Sequence, residues 1–531
     1  MAQATRLVLF LITLLPGIQA GLSSPSCRCF PGDACWPSVK QWSDFNATIG
    51  GRLISTTPLG SVCHTSKAFG AYDARACADL KTVWPLPATH YETAWSPMQA
   101  WFTNFSCNPF LPPDAPCTTD PFVRYAVNVS SAVDVRKTLA FTSRHNIRVV
   151  IRNTGHDYLG KSTGPGAVVL WTYHLKHMES LHYTSPVYSG PAMRVGAGVQ
   201  GFEAMAAAHA RNKLILTGNC PTIGVTSGYS QGGGHGQLAS LFGLAADQIL
   251  EWEVVSAAGE LLTVSPEKHP DLYWALAGGG GGTYAVVLSG VVKVYPERRT
   301  ATATLTFDGS EVDPRVFWDV IQHFVVAVLP VVDAGGVAVW AVIEDSFSVT
   351  PITLPGGTRE QLQSHLQSTV ELLKRHKIPY VNHNATALFS ALRSIAADDA
   401  VISGISMNVS RTQPPNNAVN PAWRNSAISV TLGTTYNYTD RAVDVQRQEL
   451  MTKELLPRLE LLTPGSGAYL NEGDFNQPDW QRVFYGRNYP RLEAIKVRYD
   501  PRDMFYARTA VGSERWVERK DGRLCRRGSG I

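Results

Sequence analysis

The hydrophobic and polar positions between residues 118 and 298 alternate between short apolar runs and one-sided helical spacings. Short runs of β-branched and other apolar residues are typical of buried strands, whereas a capping serine such as Ser131, followed by apolar residues at helical spacing, is typical of a helix. The predicted strands are residues 148–151, 168–171, 193–198, 214–217, 249–255 and 284–294, and the predicted helices are residues 131–144 and 200–210. Strands that alternate with short helices predict an α+β unit over residues 118–298.

Residues 299–467 follow a different pattern. The predicted elements here are strands at 301–307 and 427–438 and an amphipathic helix at 361–375. The first of these strands alternates between apolar and polar side chains, as in a sheet with one exposed face. The apolar stretch at 324–342 is interrupted by Pro330, Asp333 and two glycines, so we interpret it as buried strands. The region is predicted to be an antiparallel sheet backed by helices.

The two ends of the chain have their own compositions. Residues 1–20 carry one positive charge, then an apolar stretch, then small residues, which is the layout of a secretory signal peptide. That stretch is too short to span a bilayer. Residues 21–117 contain many cysteines, prolines and tryptophans and are predicted to be a disulfide-stapled extension, and residues 521–531 form a basic tail.

Six acceptor sequences for N-glycosylation agree with the secretory route. Each places an asparagine two residues before serine or threonine. These asparagines are Asn46, Asn104, Asn128, Asn384, Asn408 and Asn437. We therefore expect a secreted, extracellular glycoprotein.

The charge of the chain argues against a nucleic-acid partner. Lysine and arginine number 47 and aspartate and glutamate 43, which leaves a net charge of only +4. A short basic tail is usually solvated. We expect neither nucleic-acid binding nor membrane contact after signal removal, and the length of 531 residues predicts roughly three folding units, or fewer large ones.

The nine cysteines form an odd set in an oxidising compartment. Seven precede residue 118, and the others are Cys220 and Cys525. Four disulfides would leave one cysteine over. Close neighbours such as Cys107 and Cys117 are reasonable partners, but spacing alone does not determine the pairing. Cys220 is then either a buried free thiol or a residue with a chemical role.

Two segments carry the most specific chemistry in the chain. Residues 152–157 (Arg-Asn-Thr-Gly-His-Asp) place a histidine on a glycine-bounded turn directly after a predicted strand. Residues 218–224 place Cys220 in a Gly/Pro turn ahead of the glycine cluster 232–236. A third segment, 485–501, predicts a helix that ends in Tyr-Asp-Pro. In this order the segments resemble those of the vanillyl-alcohol-oxidase/p-cresol-methylhydroxylase superfamily, in its berberine-bridge-enzyme-like branch.

The resemblance implies a two-part FAD-binding domain, formed by residues 118–298 and a carboxyl-terminal return segment at 468–520, with an inserted antiparallel-sheet substrate domain at 299–467. It also implies covalent FAD, held by His156 and by Cys220. The implied cofactor contacts are Arg152, Asn153, Thr154, Gly155, His156, Asp157, Cys220, Thr222, Ile223, Gly224, Gly228, Tyr229 and Asn488. A Gly-x-Gly-x-x-Gly turn does not follow any predicted strand, which argues against a Rossmann unit. No metal site is predicted.

Several of these residues have a plain alternative role. His156 could be an ordinary turn histidine, Ile223 could only pack, and Asn488 could be an exposed helix residue. In the family that the chain resembles, the position of Ile223 controls oxygen access to the flavin, and a β-branched residue is more like the oxygen-reactive members. Tyr229 stands where many plant members have a histidine.

The resemblance also points to a proton acceptor. Plant members commonly read Tyr-x-Asn-Tyr where this chain reads Tyr469-Leu-Asn-Glu472, so a carboxylate replaces the second tyrosine. Tyr469 and Glu472 are both candidates for a positioned base. A structural role for each is an equal alternative.

Three functions follow as hypotheses. The first is a secreted FAD-dependent oxidase that takes hydride from a hydroxylated small molecule or oligosaccharide and reduces molecular oxygen to hydrogen peroxide. The second is a biosynthetic flavoenzyme that dehydrogenates or cyclises a secondary metabolite. The third is a secreted glycosylated binding protein whose flavin site is idle. The oligomeric state is left open.

Overall fold

The computed structural model describes residues 27–66, 68–70, 72–310, 312–375, 386–398, 400–410 and 416–528, without the side chains of residues 374, 375 and 386–390. The predicted signal peptide at 1–20 and the predicted glycosylation site Asn384 lie outside the described residues.

A four-stranded sheet, the first sheet, joins the predicted extension to the α+β unit. Its strands lie in the order Leu53–Ser55, Tyr125–Asn128, Val168–Trp171 and Val149–Arg152. The first pair is antiparallel and the others are parallel. Helix Ala132–Arg144 begins after Ser131, as predicted. Because the strand at 53–55 comes from the cysteine-rich extension, that extension is an integral part of this sheet.

A five-stranded antiparallel sheet, the second sheet, forms the centre of the molecule. Its strands lie in the order Met178–Ser185, Tyr188–Gly196, Ala285–Lys293, Ile249–Ser256 and Leu261–Val264. Helices Gly201–His209 and Pro270–Leu276 pack on it through a shared apolar core. The strands predicted at 193–198, 249–255 and 284–294 and the helix predicted at 200–210 are confirmed within about five residues at each boundary. Strands Met178–Ser185 and Leu261–Val264 and helix Pro270–Leu276 were not predicted.

The strand predicted at 214–217 is wrong beyond its first residue. Only Lys213–Leu214 pairs, with Tyr295–Pro296. Ile215 and Leu216 are buried by packing and not by strand pairing. An apolar run therefore predicted burial correctly but not the hydrogen-bonding pattern of the backbone.

The predicted antiparallel sheet backed by helices is confirmed as a third sheet. Its strands lie in the order Thr300–Asp308, Ser346–Pro355, Val337–Ile343, Ala400–Ser406 and Ile428–Thr434. The main helices of this region are Pro314–Ala327, Arg359–Arg375 and Thr386–Ala396. Burial alternates along Thr300–Asp308, as expected for a strand with one exposed face.

The interpretation of residues 324–342 as buried strands is wrong for its first half. Helices Pro314–Ala327 and Leu329–Asp333 occupy it, and only Val337–Ile343 is a strand. The buried residues of the first helix begin at Phe317 and recur at helical spacing, upstream of the apolar stretch considered in the sequence. Among the described helices, Pro314–Asp333 is long and apolar enough to cross a membrane, but half of its most apolar window is buried within the protein.

Shorter helices complete the architecture. They include Val39–Thr48, Ala74–Val83, Pro87–Tyr91, Ser230–Gly232, Ala239–Phe242, Arg441–Leu450, Leu456–Glu460, Trp480–Tyr485 and Tyr489–Tyr499. A carboxyl-terminal hairpin pairs Trp516–Glu518 with Leu524–Arg526. The whole is an α+β fold in which the third sheet is inserted between two parts of one unit.

The carboxyl-terminal segment returns to the centre of the molecule through a buried ion pair. Helix Tyr489–Tyr499 shares the core of the second sheet. Lys496 Nζ donates to Asp500 Oδ2 at 2.6 Å and to the carbonyls of Thr283 and Phe505 at 2.8 and 2.7 Å. Asp500 in turn accepts the backbone N–H groups of Met504 and Phe505. The pair therefore joins the return segment to the turn before the strand Ala285–Lys293.

All nine cysteines are described, and eight of them are paired. The disulfides are Cys27–Cys525, Cys29–Cys35, Cys63–Cys77 and Cys107–Cys117. Cys220 carries the remaining, exposed thiol. The odd count in the sequence therefore identified a cysteine that no disulfide uses.

The predicted glycosylation sites differ in accessibility. Asn104 is exposed in a left-handed turn. Asn46, Asn128, Asn408 and Asn437 are half-buried, and the amide of Asn408 donates to Asp333. Glycosylation at these positions stays a prediction.

Candidate functional site

A large cleft of about 1490 Å³ separates the turns around the second sheet from the open face of the third sheet. Most small-molecule sites measure roughly 300–1,000 Å³, so this cleft can take a large ligand and a second molecule beside it. Residues 153–158 and 218–220 line one wall, and strand Ile428–Thr434 lines the other. The segments that the sequence marked as chemical therefore share one space.

His156 and Cys220 lie side by side at one end of the cleft, 64 residues apart in the chain. Cys220 Sγ is 3.8 Å from His156 Nε2. Thr222 Oγ1 contacts both, at 2.6 Å from the His156 Nε2 and 3.4 Å from the sulfur. Two nucleophilic atoms this close can both reach one planar ring.

The environment of Cys220 favours its thiolate. The side-chain hydrogen bond from His156 is the largest cause, partial burial opposes it, and the pKa of Cys220 falls to about 7. The thiolate, not the thiol, is the nucleophile, so a pKa near neutrality makes this exposed cysteine reactive.

The turn that carries His156 depends on glycine. Gly155 has a φ of +76°, and a Cβ there would meet the guanidinium of Arg152 at 2.6 Å. That guanidinium is fully buried and donates to the carbonyls of Thr93, His90 and Ser96. The side chain of Arg152, predicted to contact the cofactor, instead anchors the cysteine-rich extension beneath the turn.

Several buried polar atoms that border the cleft have no protein partner, and three of them belong to residues 153–231. These three are Asn153 Oδ1, Lys161 Nζ and Gln231 Oε1. Burial lowers the pKa of Lys161 to about 8, which nearby Asp157 opposes. Native proteins leave few buried polar atoms unpaired, so this wall is suited to a polar ligand with an anionic part.

Most, but not all, of the remaining predicted contact residues line the cleft. Thr154, Asp157, Ile223, Gly224, Gly228 and Tyr229 line the cleft. Asn488 does not, because its amide donates to the carbonyls of Ala418 and Val419. Thr222 reaches the site through His156 and Cys220. Most of the predicted contact residues therefore gather at one cleft, whereas the side chains of Arg152 and Asn488 bond to distant backbone. Contact of these residues with the cofactor stays a prediction.

A histidine–carboxylate pair also lines the cleft. His235 Nε2 is 3.0 Å from Glu472 Oε1, and Thr431 Oγ1 donates to Glu472 Oε2 at 3.4 Å. Burial alone would raise the pKa of Glu472, but His235 and Thr431 outweigh burial, and the pKa lies below its ordinary value. Glu472 is therefore an ionised acceptor that faces the cleft.

Tyr469 is held in a different state. Its ring is buried and packs edge-on against His235, with centroids 5.2 Å apart. Burial raises the pKa of Tyr469 well above its ordinary value, and Glu472 adds to the rise. Asn471 Nδ2 donates to the phenol at 2.9 Å and to the carbonyl of Gly228 at 3.0 Å. A phenol that stays protonated cannot accept a proton, so of the two predicted bases only Glu472 has the required charge.

His235 was not identified from the sequence as a functional residue. It lies within the cluster 232–236, which the sequence distinguishes by its four glycines. Tyr229 donates to the His235 carbonyl, which fixes the backbone of this cluster. The available indication of a functional role was a histidine within a glycine cluster that follows the Cys220 turn.

Two family models match the chain. Residues 123–265 match a model described as FAD binding domain. Residues 468–512 match one described as Berberine and berberine like. These ranges contain both the His156 and Cys220 turns and the segment with Tyr469 and Glu472.

The chain is also similar to whole proteins. It is 44% identical over 550 residues to FAD-linked oxidoreductase sor8 of Hypocrea jecorina, covering 96% of this chain and 95% of that protein. It is 38% identical over 565 residues to VAO-type flavoprotein oxidase VAO615 of Thermothelomyces thermophilus, covering 96% and 98%. The crystal structure of VAO-type flavoprotein MtVAO615 from Myceliophthora thermophila superposes with a TM-score of 0.89 at 37% identity, covering 94% of this chain and all of that one.

Proposed function

Since the chain belongs to the FAD-linked oxidoreductases of the vanillyl-alcohol-oxidase type that carry a berberine-bridge-like segment, we propose that it oxidises a hydroxylated small molecule and reduces oxygen to hydrogen peroxide. One observation carries the proposal: the His156 and Cys220 pair and an ionised Glu472 line the same cleft. The residues around His156 suit a large polar cofactor, and the Glu472 carboxylate can accept a proton from a substrate.

The residues of the first wall fit FAD. Lys161 Nζ would offer an unpaired donor to an anionic part of FAD, and Asn153 Oδ1 and Gln231 Oε1 would offer unpaired acceptors to its N–H and O–H groups. His156 and Cys220 would hold the ring through covalent bonds, which the 3.8 Å between their reactive atoms permits for one flavin. When bound, FAD supplies a two-electron hydride acceptor.

Glu472 supplies the complementary step. Oxidation of a C–OH group to a carbonyl releases one hydride from carbon and one proton from oxygen. The ionised carboxylate accepts that proton, while His235 and Thr431 keep it charged and oriented. Tyr469, protonated and packed on His235, positions the pair.

Two observations favour oxygen as the electron acceptor over a dehydrogenase. Ile223, a β-branched residue, lines the cleft beside Cys220. A relative that shares 38% identity over nearly its whole length is named a flavoprotein oxidase. The biosynthetic alternative, dehydrogenation or ring closure of a secondary metabolite, uses the same hydride step and differs in the fate of the oxidised product.

The test is peroxide release from air-saturated purified protein across a panel of benzylic alcohols, polyols and oligosaccharides. The oxidase proposal expects peroxide in a one-to-one ratio with oxidised product for at least one class. Anaerobic bleaching of the flavin without peroxide in air would favour the biosynthetic alternative. A colourless protein, or a yellow one that no compound bleaches, would favour the idle binding protein.

Covalent attachment makes a separate prediction. We expect the wild type, His156→Ala and Cys220→Ala to stay yellow after acid precipitation, and the double variant to lose its flavin. Peptide masses check the bonds directly, since the peptides with His156 and Cys220 should both carry the mass of FAD. Flavin on the His156 peptide alone would contradict the double attachment. An exposed serine change outside the acceptor sequences, Ser180→Ala on strand Met178–Ser185, provides the control.

The secretory route is also a proposal. Four disulfides agree with an oxidising compartment. Three of them lie within the cysteine-rich extension, and the fourth joins that extension to Cys525. Treatment with a glycosidase that removes N-glycans should lower the mass of the secreted protein. An unchanged mass would argue against glycosylation at all the predicted sites.

A further inference from the structure

The cleft also holds a carboxylate that the proposed chemistry does not use. Asp444 lies on helix Arg441–Leu450 and is only 5% exposed. Its Oδ1 accepts the backbone N–H of Asn437 at 2.8 Å. Its Oδ2 is buried and has no partner, and the same is true of the hydroxyl of Tyr436. Both side chains border the cleft.

A buried carboxylate oxygen without a donor is costly. Leaving a charged group unsatisfied destabilises a protein more than leaving a neutral one unsatisfied. Burial raises the pKa of Asp444, and the nearby arginines Arg447 and Arg441 only partly oppose it. Natural proteins keep such groups chiefly where function requires them.

The surroundings decide which ligand group suits this position. Arg447 donates to the Thr435 carbonyl, and Arg441 stacks over Trp101 at 5.2 Å, so neither pairs with Asp444. Their positive charges disfavour a cationic ligand. An uncharged hydroxyl can donate to Asp444 Oδ2 and accept from the Tyr436 phenol.

The two hydrogen-bonding positions lie close together in the chain. Thr431 donates to Glu472, and Tyr436 follows it by five residues along the strand and its extension. The Cα atoms of Thr431 and Tyr436 are therefore at most about 17 Å apart. Trp101 and Phe475, with ring centroids 5.6 Å apart, provide apolar walls of the same cleft.

We propose that Asp444 and Tyr436 form a distal substrate subsite that binds a hydroxyl group remote from the carbon that is oxidised. The inference rests on the proposed function. The substrate class is then an uncharged, elongated molecule with a reacting hydroxyl, an apolar middle and a second hydroxyl remote from the first.

The test uses the flavin-containing protein and 4-(ω-hydroxyalkoxy)benzyl alcohols of increasing chain length, each with its ω-methoxy counterpart. Binding is measured anaerobically from the change in the flavin spectrum. Wild type should bind the best hydroxy compound about 10- to 100-fold more tightly than its methoxy partner, as for a hydrogen bond to a charged group. Asp444→Asn, which keeps an acceptor for Asn437 but presents an amide donor to the ligand, should abolish that preference, and Tyr436→Phe should reduce it.

The control is Glu449→Gln, an exposed change on the same helix, which should keep the wild-type preference. Asp444→Asn should also leave the melting temperature unchanged or raise it, because a buried charge is removed. Equal binding of hydroxy and methoxy compounds to wild type, including no binding of either, overturns the subsite. A lower melting temperature with an unchanged preference assigns Asp444 a structural role and overturns it as well. Failure of the oxidase proposal is seen separately, as binding without flavin bleaching.

Discussion

Replacement of Glu472 by glutamine should slow reduction of the flavin by about 10²- to 10⁴-fold, the range that a positioned general base contributes. Glutamine keeps the shape and can still accept from Thr431 and His235 but cannot take a proton. Stopped-flow bleaching under anaerobic conditions, with the best compound of the panel, measures the rate. A rate within a few-fold of wild type would remove Glu472 from the mechanism.

The pH dependence of the rate of flavin reduction distinguishes the role of Glu472 from the roles of His235 and Tyr469. Because the pKa of Glu472 lies below its ordinary value, its proton-accepting form is retained at the pH where a free glutamate becomes protonated and is lost only as the pH falls through that lowered pKa. His235→Gln removes the imidazole that helps to lower the pKa of Glu472 and leaves burial, which raises it, so the acid limb of the pH profile should move to higher pH. Tyr469→Phe keeps the buried ring and is the matched control, since its phenol is already protonated. An acid limb that stays in place in His235→Gln would contradict this pairing.

The second large effect is expected in stability. Lys496→Met should lower the free energy of unfolding by about 3–5 kcal/mol, the usual loss when one member of a buried ion pair is removed. The side chains of Lys496 and Asp500 are 1% and 0% exposed, so the carboxylate would stay buried without its partner. Urea titration followed by tryptophan fluorescence gives the value.

A neighbouring pair provides the control. Arg498, on the same helix, pairs with Asp271 at the surface and is 69% exposed. Arg498→Met should therefore cost less than about 1 kcal/mol. Lys496→Met/Asp500→Asn, which removes both charges, should recover part of the lost stability. Equal losses for Lys496→Met and Arg498→Met would show that the buried pair does not hold the return segment in place.

The same carboxyl-terminal return segment supports the stability of the protein and its proposed chemistry. The segment from Tyr469 to Asp500 contributes Glu472 to the cleft and Lys496 to the core of the second sheet. Asn471 also approaches the glycine cluster so closely that a Cβ on Gly232 would lie 2.2 Å from its amide. Loosening of the return helix should therefore disturb the position of Glu472 as well as the fold.

The sequence by itself determined the elements whose pattern is local. Alternation along Thr300–Asp308, the start of a helix after Ser131, the odd cysteine Cys220 and the turn at His156 were all correct, because each depends on neighbours in the chain or on a count. The side chain of Ser131 itself makes no capping hydrogen bond. The order of these segments also identified the family and the FAD-binding fold.

Only the tertiary structure decided which side chains meet. His235 and Glu472 are 237 residues apart, and their contact arises because the return segment packs beside the glycine cluster. The apolar run at 324–333 became a helix because its buried face begins upstream and packs on the third sheet. Arg152 turned away from the cleft because carbonyls of the extension lie beneath it. Local patterns set the period and burial of a segment, whereas the partner of a polar side chain depends on strand pairing and helix packing between distant segments.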